Sequence, residues 1–474
     1  MRQPLDIRLS RRNFLQMPLL ASGLPLIFQN PANTGTVRFM SFDEAAPVIR
    51  SGKFMLPPDL ARFRGEMMRG AWSQWVRSRD TEIRSRLQRG DEDTLANFVL
   101  FGVSFTDLPR VTPDLSDRDE IQRRTRARVM AFVEAVASPG NNERLVLLSA
   151  LTTRLGYSAA RGESRERLAS YVTANIERYQ AERRQYQSTV QRVAGNDASA
   201  ATVSDLYKDR GLSSDTDFRP NYAIDQGLAE AKRRGLVKSV RRVAILGPGL
   251  DFTDKDAGFD HYPLQTLQPF AVVDSLVRLG LANVQTLRVS VLDISTPTLE
   301  HIARAITRAR AQQSYTLQLV LDRTLPWSPQ TLDYWERFGA AIGNSVQPLP
   351  LPPGAREHSR RALRIRPEVV RLMDPLRMNG VLQRAILGSN QQYDLVIATN
   401  ILIYYGAFEQ ALGLANVESM LAPSGIFMTN DLSHEYAGVR LRPAAVVRVD
   451  YSSNQEDQVH IFSRSTFQPQ LPPA

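Results

Sequence analysis

The pattern of apolar and polar residues divides the chain into two halves. From about residue 54 to residue 234, apolar residues recur every three or four positions, which predicts helices almost throughout, with Gly90 separating two of them. From about residue 237 to residue 464, short apolar runs alternate with helical patterns, which predicts βαβ units and a parallel sheet. The pattern therefore predicts an α/β domain in the C-terminal half, preceded by an all-α helical domain.

The strongest candidate for a functional site follows one predicted strand. In the run Tyr393-Asp-Leu-Val-Ile-Ala-Thr-Asn400, the apolar residues are typical of a strand that is covered on both faces. Asn400 supplies an amide where this strand would leave the sheet, and Tyr404 and Tyr405 follow it. Because ligands of open α/β sheets bind outside the carboxyl ends of the strands, we expect these polar residues at a binding site.

This run and the elements predicted after it resemble class I methyltransferases that depend on S-adenosyl-L-methionine (SAM), especially the chemotaxis-receptor type. The similar features are a strand, an Asn followed by an apolar-Ile-Tyr-aromatic run, a helix, the turn Ala422-Pro-Ser-Gly425 and a further strand. The resemblance covers about residues 237–464 and implies a seven-stranded, Rossmann-like methyltransferase domain with SAM as its cofactor. The Asn-Glu-Thr-x-Phe-Phe-Arg phrase of the chemotaxis type does not occur, so methylation of receptor glutamates is not predicted.

The resemblance also assigns residues to the cofactor. Gly247 and Gly249 correspond to the turn after the first strand, where glycines let the backbone approach a nucleotide-like ligand closely. Asp293 ends the second strand and corresponds to the carboxylate that accepts hydrogen bonds from the ribose hydroxyls. Asp374 ends the predicted third strand and corresponds to the acidic residue that reads the adenine amino group. Asn400 completes the predicted cofactor site.

The glycine turn departs from the family pattern at two positions. Ile245 stands where the family has an acidic residue that helps to hold the methionine end of the cofactor. Asp251 stands where the family has a third glycine. A tight strand-to-helix turn without a ligand is the alternative interpretation of this segment. The two departures favour a fold that no longer acts as a methyltransferase.

The residues predicted to face the methyl acceptor are Asn400, Tyr404 and His261. Catalysis would rest mainly on positioning, because the nucleophile must lie in line with the sulfonium methyl group. His261 is also the candidate general base, and a hydrogen-bonded histidine without a catalytic role is the alternative.

An insertion after the glycine turn, residues 252–266, is predicted to be a polar lid. Its aromatic residues Phe252, Phe259 and Tyr262 would pack over the mouth of the pocket when the lid closes. A structural clasp is the alternative. The spacing of its acidic residues fails the EF-hand rule, so no metal site is predicted.

The N-terminus bears on localisation. The run Ser10-Arg-Arg-Asn-Phe-Leu15 resembles the twin-arginine export signal. The apolar stretch of residues 17–28 has the length of a signal h-region and is too short to span a bilayer. Export to the periplasm or cell envelope is predicted if the signal is used, and a cytoplasmic location otherwise. No other stretch is apolar for long enough to be a transmembrane helix.

Composition limits the chemistry and the partners. The absence of cysteine excludes disulfides, thiolate nucleophiles and Cys-based zinc sites. The net charge is +10, yet no basic run is interleaved with aromatic residues, so no nucleic-acid partner is expected.

Two functions are predicted. The first is SAM-dependent methyl transfer to an unknown acceptor. The alternative is an exported, non-catalytic binding or scaffold protein on the same fold, with a protein partner on its helical domain. Export and methyl transfer conflict, because SAM is made in the cytoplasm. The predicted segments are the signal-like residues 1–36, the helical domain 37–194, a linker 195–236, the methyltransferase-like domain 237–464 and a tail 465–474.

Overall fold

The computed structural model describes residues 36–112, 115–159, 162–194, 210–253, 258–352, 358–430, 437–453 and 455–464. The signal-like residues Arg11 and Arg12, the first part of the predicted linker and the predicted tail lie outside these ranges. Residues from Gly35 onward belong to one compact unit. No helix within the described ranges is long and apolar enough to cross a membrane.

The strands of the described chain form three sheets. In chain order they are β1 (Thr36–Phe39), β2 (Arg242–Leu246), β3 (Arg288–Asp293), β4 (Tyr315–Leu321), β5 (Gly343–Val346), β6 (Ser359–Ile365), β7 (Met373–Arg377), β8 (Gln383–Ile386), β9 (Tyr393–Ala398), β10 (Leu421–Thr429), β11 (Leu441–Ser452) and β12 (Gln455–Arg464).

The helices of the described chain lie before, between and beside these strands. They are α1 (Phe42–Arg50), α2 (Pro58–Ala61), α3 (Gly65–Phe101), α4 (Arg118–Ala137), α5 (Glu143–Arg154), α6 (Glu163–Ala194), α7 (Arg219–Arg233), α8 (Gln268–Arg278), α9 (Thr296–Arg310), α10 (Pro329–Arg337), α11 (Pro367–Val370) and α12 (Ala407–Met420). A short 3-10 helix, Leu402–Tyr404, precedes α12.

The central sheet has seven strands in the order β11-β12-β10-β9-β2-β3-β7. Strands β10, β9, β2, β3 and β7 run parallel, whereas β12 pairs antiparallel with both β10 and β11. The inner strands are buried nearly throughout, because helices cover both faces of the sheet. The predicted seven-stranded, Rossmann-like sheet is confirmed, and the antiparallel pair β11 and β12 forms one edge of it.

The two faces of the central sheet belong to different hydrophobic cores. Val243 and Ile245 of β2 point into one core, which helices α7, α8 and α9 cover. Ala244 and Leu246 point into the other, which receives residues of α1, α3 and α12. The alternation follows from the period of two along a strand. Ile245 is therefore a core residue, and an acidic side chain at this position would be buried without water.

Two smaller sheets extend the fold. Strands β4, β6 and β5 form an antiparallel sheet within the insertion that precedes β7. In the same insertion, β4 is followed by α10. Strand β1 pairs antiparallel with β8, so the region predicted to be all-α contributes a strand to the C-terminal half.

Helix α3 connects the two halves of the molecule. It runs for 37 residues without a break at Gly90, so the predicted break there is wrong. Trp75, near its start, packs against Phe408 of α12 with ring centroids 5.9 Å apart. Phe98, near its end, belongs to the core that α4, α5 and α6 share. Gly90 is buried because another part of the chain lies directly on it: a Cβ atom there would overlap the carbonyl oxygen of Leu212.

The stretch predicted as a linker, residues 195–236, contains a packed helix. Helix α7 occupies residues 219–233 and buries Ile224 and Leu228 against the sheet. Pro220 at the start of α7 suits a helix N-terminus. The prediction of a linker is therefore wrong for this part of the stretch. The separate α-helical domain stays a prediction.

Candidate ligand-binding cleft

The carboxyl ends of β2, β3 and β9 meet at one edge of the central sheet. Gly247 and Gly249 follow β2, Asp293 ends β3, and Asn400 follows β9. The backbone N–H of Gly247 donates to the carbonyl of Leu292 at 2.8 Å, which joins the glycine turn to β3. The structure thus brings four of the predicted site residues to a common cleft.

Two adjoining cavities occupy this cleft. The first, which we call the β3 chamber, has a volume of about 70 Å³ and is lined by Asp293, Asn379 and Tyr405 among others. The second, which we call the acidic chamber, has a volume of about 200 Å³ and is lined by four aspartates. Both chambers share the lining residues Ser213, Ser214, Gly247, Gly249, Ile401 and Tyr404.

Asp293 is the carboxylate of the β3 chamber. Burial raises the pKa of Asp293 to about 7, although backbone hydrogen bonds from Ser295, Ile294 and Gly249 act in the opposite direction. The N–H of Ser295 donates to its Oδ1 at 2.8 Å. Asp293 therefore lies where a carboxylate could accept ribose hydroxyls, but it shares its oxygens with the protein backbone.

Asp374 does not reach the cleft. In the pairing of β7 with β3, Asp374 lies opposite Ser290, whereas Arg377 lies opposite Asp293 at the edge. The predicted third strand is therefore misplaced. Pro367 starts the short helix α11 where the strand was expected, and the strand begins only at Met373.

Asn379 takes the position after β7 that was assigned to Asp374. It is buried and lines the β3 chamber. Its side-chain amide donates to Asp80 Oδ1 on α3 at 2.8 Å. The signal in the sequence is the pair Asn379-Gly380, which is typical of a turn.

The protein's own chain lies over the glycine turn. The N–H of Leu250 donates to the carbonyl of Ser214 at 2.7 Å, and the N–H of Thr216 donates to the carbonyl of Leu250 at 2.9 Å. A Cβ atom at Gly249 would lie 2.6 Å from the Ser214 oxygen, and Gly249 has a φ of +66°. The glycine therefore permits the close approach of residues 213–216, which we call the wall segment. Its composition resembles a linker, so sequence reasoning missed it.

The acidic chamber lies on the other side of the wall segment. Its four aspartates are Asp215, Asp217, Asp251 and Asp322. One guanidinium group, that of Arg219, lines the same cavity and donates to Asp217 at 3.1 Å through Nε. Among the described lining residues, carboxylates therefore outnumber guanidinium groups four to one.

Asp251, which replaces the third glycine of the family pattern, is part of this chamber. It accepts hydrogen bonds from the Tyr262 hydroxyl at 3.1 Å and from Gln265 Nε2 at 2.7 Å. Burial raises the pKa of Asp251 to about 6, although the charge of Arg144 and both hydrogen bonds lower it. The departure from the family pattern therefore has a local structural role.

Arg144 holds the insertion after the glycine turn. Its guanidinium group is buried and donates to the carbonyls of Phe252 and Tyr262, and more distantly to that of Asp251 at 3.4 Å. Phe252, Phe259 and Tyr262 are all buried. These contacts favour the structural clasp over the lid for the described part of the insertion, which we call the clasp; residues 254–257 lie outside the described chain.

His261 is not brought to the cleft. It lines neither chamber, and its ring lies 5.4 Å from that of Phe259. Burial lowers the pKa of His261, with the charge of Asp260 acting against this effect. The neighbouring Asp260 carboxylate accepts the backbone N–H of Ser104 at 2.7 Å, which attaches this loop to the end of α3. A role as general base in the cleft does not follow from this position.

Asn400 and Tyr404 do line the cleft. Asn400 has a φ of +56°, a left-handed conformation that Asn tolerates better than most residues. Its backbone N–H donates to Asn430 Oδ1 at 2.9 Å, and Asn430 returns a bond to Asn400 Oδ1 at 3.0 Å. Tyr404 lines both chambers, and its carbonyl accepts a hydrogen bond from Arg86 of α3 at 2.8 Å.

No protein-family model and no curated protein sequence matches the chain. Comparison with solved structures finds similarity to methyltransferases. The N-methyltransferase NodS of Bradyrhizobium japonicum WM9, in complex with S-adenosyl-L-homocysteine, is 10% identical, with 56% of this chain and 98% of that chain covered and a TM-score of 0.26. The CurJ carbon methyltransferase is 12% identical, with 82% and 94% covered and a TM-score of 0.25.

A third similar structure is the magnesium protoporphyrin IX methyltransferase ChlM of Synechocystis PCC 6803 with bound SAM. It is 13% identical, with 56% of this chain and 97% of that chain covered and a TM-score of 0.24. At TM-scores this low, the assignment of the fold rests on the strand order and strand directions of the central sheet.

Proposed function

We propose that this protein binds SAM at the carboxyl edge of its central sheet and transfers the methyl group to an acceptor in the acidic chamber. One observation carries the proposal: the glycine turn, Asp293 and Asn400 converge on a single cleft with a second chamber beside it. Bound SAM would supply an activated sulfonium methyl group. Asn400 and Tyr404 would orient the acceptor, since both line the acidic chamber.

The residues of the β3 chamber fit the nucleoside part of SAM. Asp293 offers a carboxylate for a diol, and Gly247 and Gly249 leave space for close backbone approach. The volume of about 70 Å³ is small for an adenosyl group, because Leu212 and the wall-segment residues Ser213 and Ser214 narrow the chamber. We infer that binding displaces this part of the chain. The apparent affinity is reduced by the fraction of molecules in which it has not moved.

Substitution of Gly90 tests this proposal. In the Gly90→Ala variant the new methyl group overlaps the Leu212 carbonyl, which weakens the docking of the chain over the cleft. We expect S-adenosyl-L-homocysteine to bind this variant about tenfold more tightly than the wild type, as measured by calorimetry. Gly70→Ala is the matched control, because Gly70 lies on the same helix with no atom within 4 Å of its added Cβ.

A second variant keeps the test informative if Gly90→Ala does not fold. Leu212→Ala removes side-chain volume from the wall of the β3 chamber and also weakens the docking, so its affinity should rise in the same direction. Circular dichroism establishes that each variant is folded. The absence of binding heat in the wild type and in both folded variants, at millimolar ligand, overturns the proposal.

The second candidate function is a non-catalytic binding or scaffold protein on the same fold. The hydrogen bonds between the wall segment and Leu250 favour it, because they occupy the glycine turn with the protein's own backbone. Ile245, buried in the core, also leaves the turn without the acidic residue of the family pattern. The same titration separates the two candidates, since this function predicts no binding of S-adenosyl-L-homocysteine by any variant.

A further inference from the structure

The acidic chamber combines negative charge with aromatic walls. Among the described residues that line it, four are aspartates and one, Arg219, is cationic. The charge of Arg219 is matched by Asp217, to which it is bonded, and that of Arg144 lowers the pKa of Asp251 from behind the chamber. Carboxylates thus outnumber cations four to one among the described lining residues. The aromatic lining residues are Phe218, Tyr262, Trp327, Trp335 and Tyr404.

Buried polar atoms of this lining have no partner among the described residues. Gln268 and Thr253 are each 4% exposed, and Gln268 Oε1 and Thr253 Oγ1 have no hydrogen-bond partner in the described chain. Gln268 Nε2 donates to Thr399 Oγ1 at 2.7 Å, so the amide atom without a partner is the acceptor oxygen. Buried polar atoms without partners are rare in folded proteins. A ligand with several N–H donors would supply the missing bonds.

We propose that the acidic chamber binds a small organic cation, specifically an aliphatic primary amine in its ammonium form. The ammonium group has three donors for the carboxylates and for the free oxygens of Gln268 and Thr253. The aromatic walls accept its hydrocarbon body and attract its charge. No group of three or more His, Cys, Asp or Glu side chains in the described chain is arranged as metal ligands. The volume of about 200 Å³ limits the ligand to a small molecule.

The site would also define the methyl acceptor, and this part of the inference rests on the proposed function. The ammonium group would first pass one proton to a carboxylate of the chamber, and the carboxylate would release that proton to solvent. Transfer would form the N–C bond and break the sulfonium S–C bond, with the electron pair of that bond left on sulfur as a thioether. Tyr404 lies between the two chambers, where donor and acceptor would meet.

Titration of the full chain with n-butylammonium, in the absence of SAM, tests the site directly. We expect saturable binding, and binding of 1-butanol and of butyrate at least about tenfold weaker, because both lack the positive charge. Asp322→Asn should weaken n-butylammonium binding by about tenfold, since it removes a lining charge but keeps an acceptor oxygen for Thr324. Asp333→Asn, an exposed position on α10, should leave the affinity unchanged.

Three results would overturn the inference: equal affinities for n-butylammonium and 1-butanol, no binding of the amine at all, or equal amine affinities in the two variants. If Asp322→Asn does not fold, Asp215→Asn replaces it and should weaken binding in the same way. This titration is carried out without SAM, so its result does not depend on cofactor binding. A protein that fails to bind S-adenosyl-L-homocysteine but binds the amine would refute the proposed function and leave the acidic chamber as a binding site.

Discussion

The β3 chamber and the acidic chamber lie at the same edge of one sheet, yet they differ in size and polarity. The β3 chamber contains the carboxylate of Asp293 among the apolar side chains of Leu87, Leu212 and Leu292. The acidic chamber has about three times the volume of the β3 chamber, and four carboxylates line it. The smaller cavity therefore contains Asp293 at the end of β3, and the larger cavity lies beside it. A strand-edge position alone does not define what a Rossmann-like cleft binds.

The difference arises from the N-terminal half of the chain. Arg86 of α3 donates to the carbonyl of Arg210 at 3.0 Å and to that of Tyr404 at 2.8 Å. The N–H of Leu212 donates to the carbonyl of Arg86 at 2.9 Å. Helix α3 therefore holds residues 210–212 over the β3 chamber. The acidic chamber is bounded instead by β4 and the clasp that Arg144 holds.

The largest expected effect is that of a substitution at Arg144, which bears on the acidic chamber and not on the β3 chamber. Arg144→Met leaves the buried carbonyls of Phe252 and Tyr262 without their donor, so we expect a loss of about 3 kcal/mol in the free energy of unfolding. Urea denaturation measures this loss. Binding of n-butylammonium should also weaken in the folded variant, because Tyr262 and Asp251 line only the acidic chamber.

The matched control for Arg144 is on the same helix. Arg154 has a side chain that is 64% exposed, and its pairing distance to Asp91 is 3.6 Å. Arg154→Met should therefore change the free energy of unfolding by less than about 1 kcal/mol. Equal losses in the two variants would show that the clasp does not depend on Arg144.

A smaller effect is expected at the wall that the chambers share. Gly249→Ala combines an unfavourable positive φ with contact of the new methyl group and the Ser214 oxygen. Gly235→Ala has nearly the same φ, +69°, and nothing within 4 Å. We expect the first variant to lose about 2 kcal/mol more of its unfolding free energy than the second, as measured by denaturation. Equal losses would mean that the wall segment does not rest on the glycine turn.

The smallest expected effect is the pH dependence of stability that Asp293 of the β3 chamber causes. Because the folded pKa of Asp293 is raised from 3.8 to about 7, the folded state holds a proton that the unfolded state has lost. Stability should therefore fall as the pH rises through this range, by about 1 kcal/mol between pH 6 and pH 8. In Asp293→Asn this part of the pH dependence should be absent. Comparison of the unfolding free energy against pH in the wild type and in the variant therefore separates the contribution of Asp293 from that of other carboxylates. Parallel profiles would contradict the raised pKa.

Much of the central sheet could be predicted from local sequence. The apolar runs of β2, β3 and β9 are characteristic of strands covered on both faces, and Asp293 and Asn400 could be placed because each directly follows such a run. Asp374 was misplaced for an equally local reason: Pro367 starts a helix within an apolar stretch that also suits a strand. His261 was assigned to the cleft only because its loop follows the glycine turn.

The sequence by itself thus determined the inner strands of the central sheet and the edge at which a ligand would bind, because strand periodicity and strand ends are properties of neighbouring residues. Only the tertiary structure decided what that edge contains. The wall segment has the composition of a linker, and its docking depends on Gly90, far away along the chain. Asp215, Asp251 and Asp322 share one chamber although they lie in separate segments. Contacts between distant segments leave no local pattern, since each segment alone remains compatible with a solvated loop.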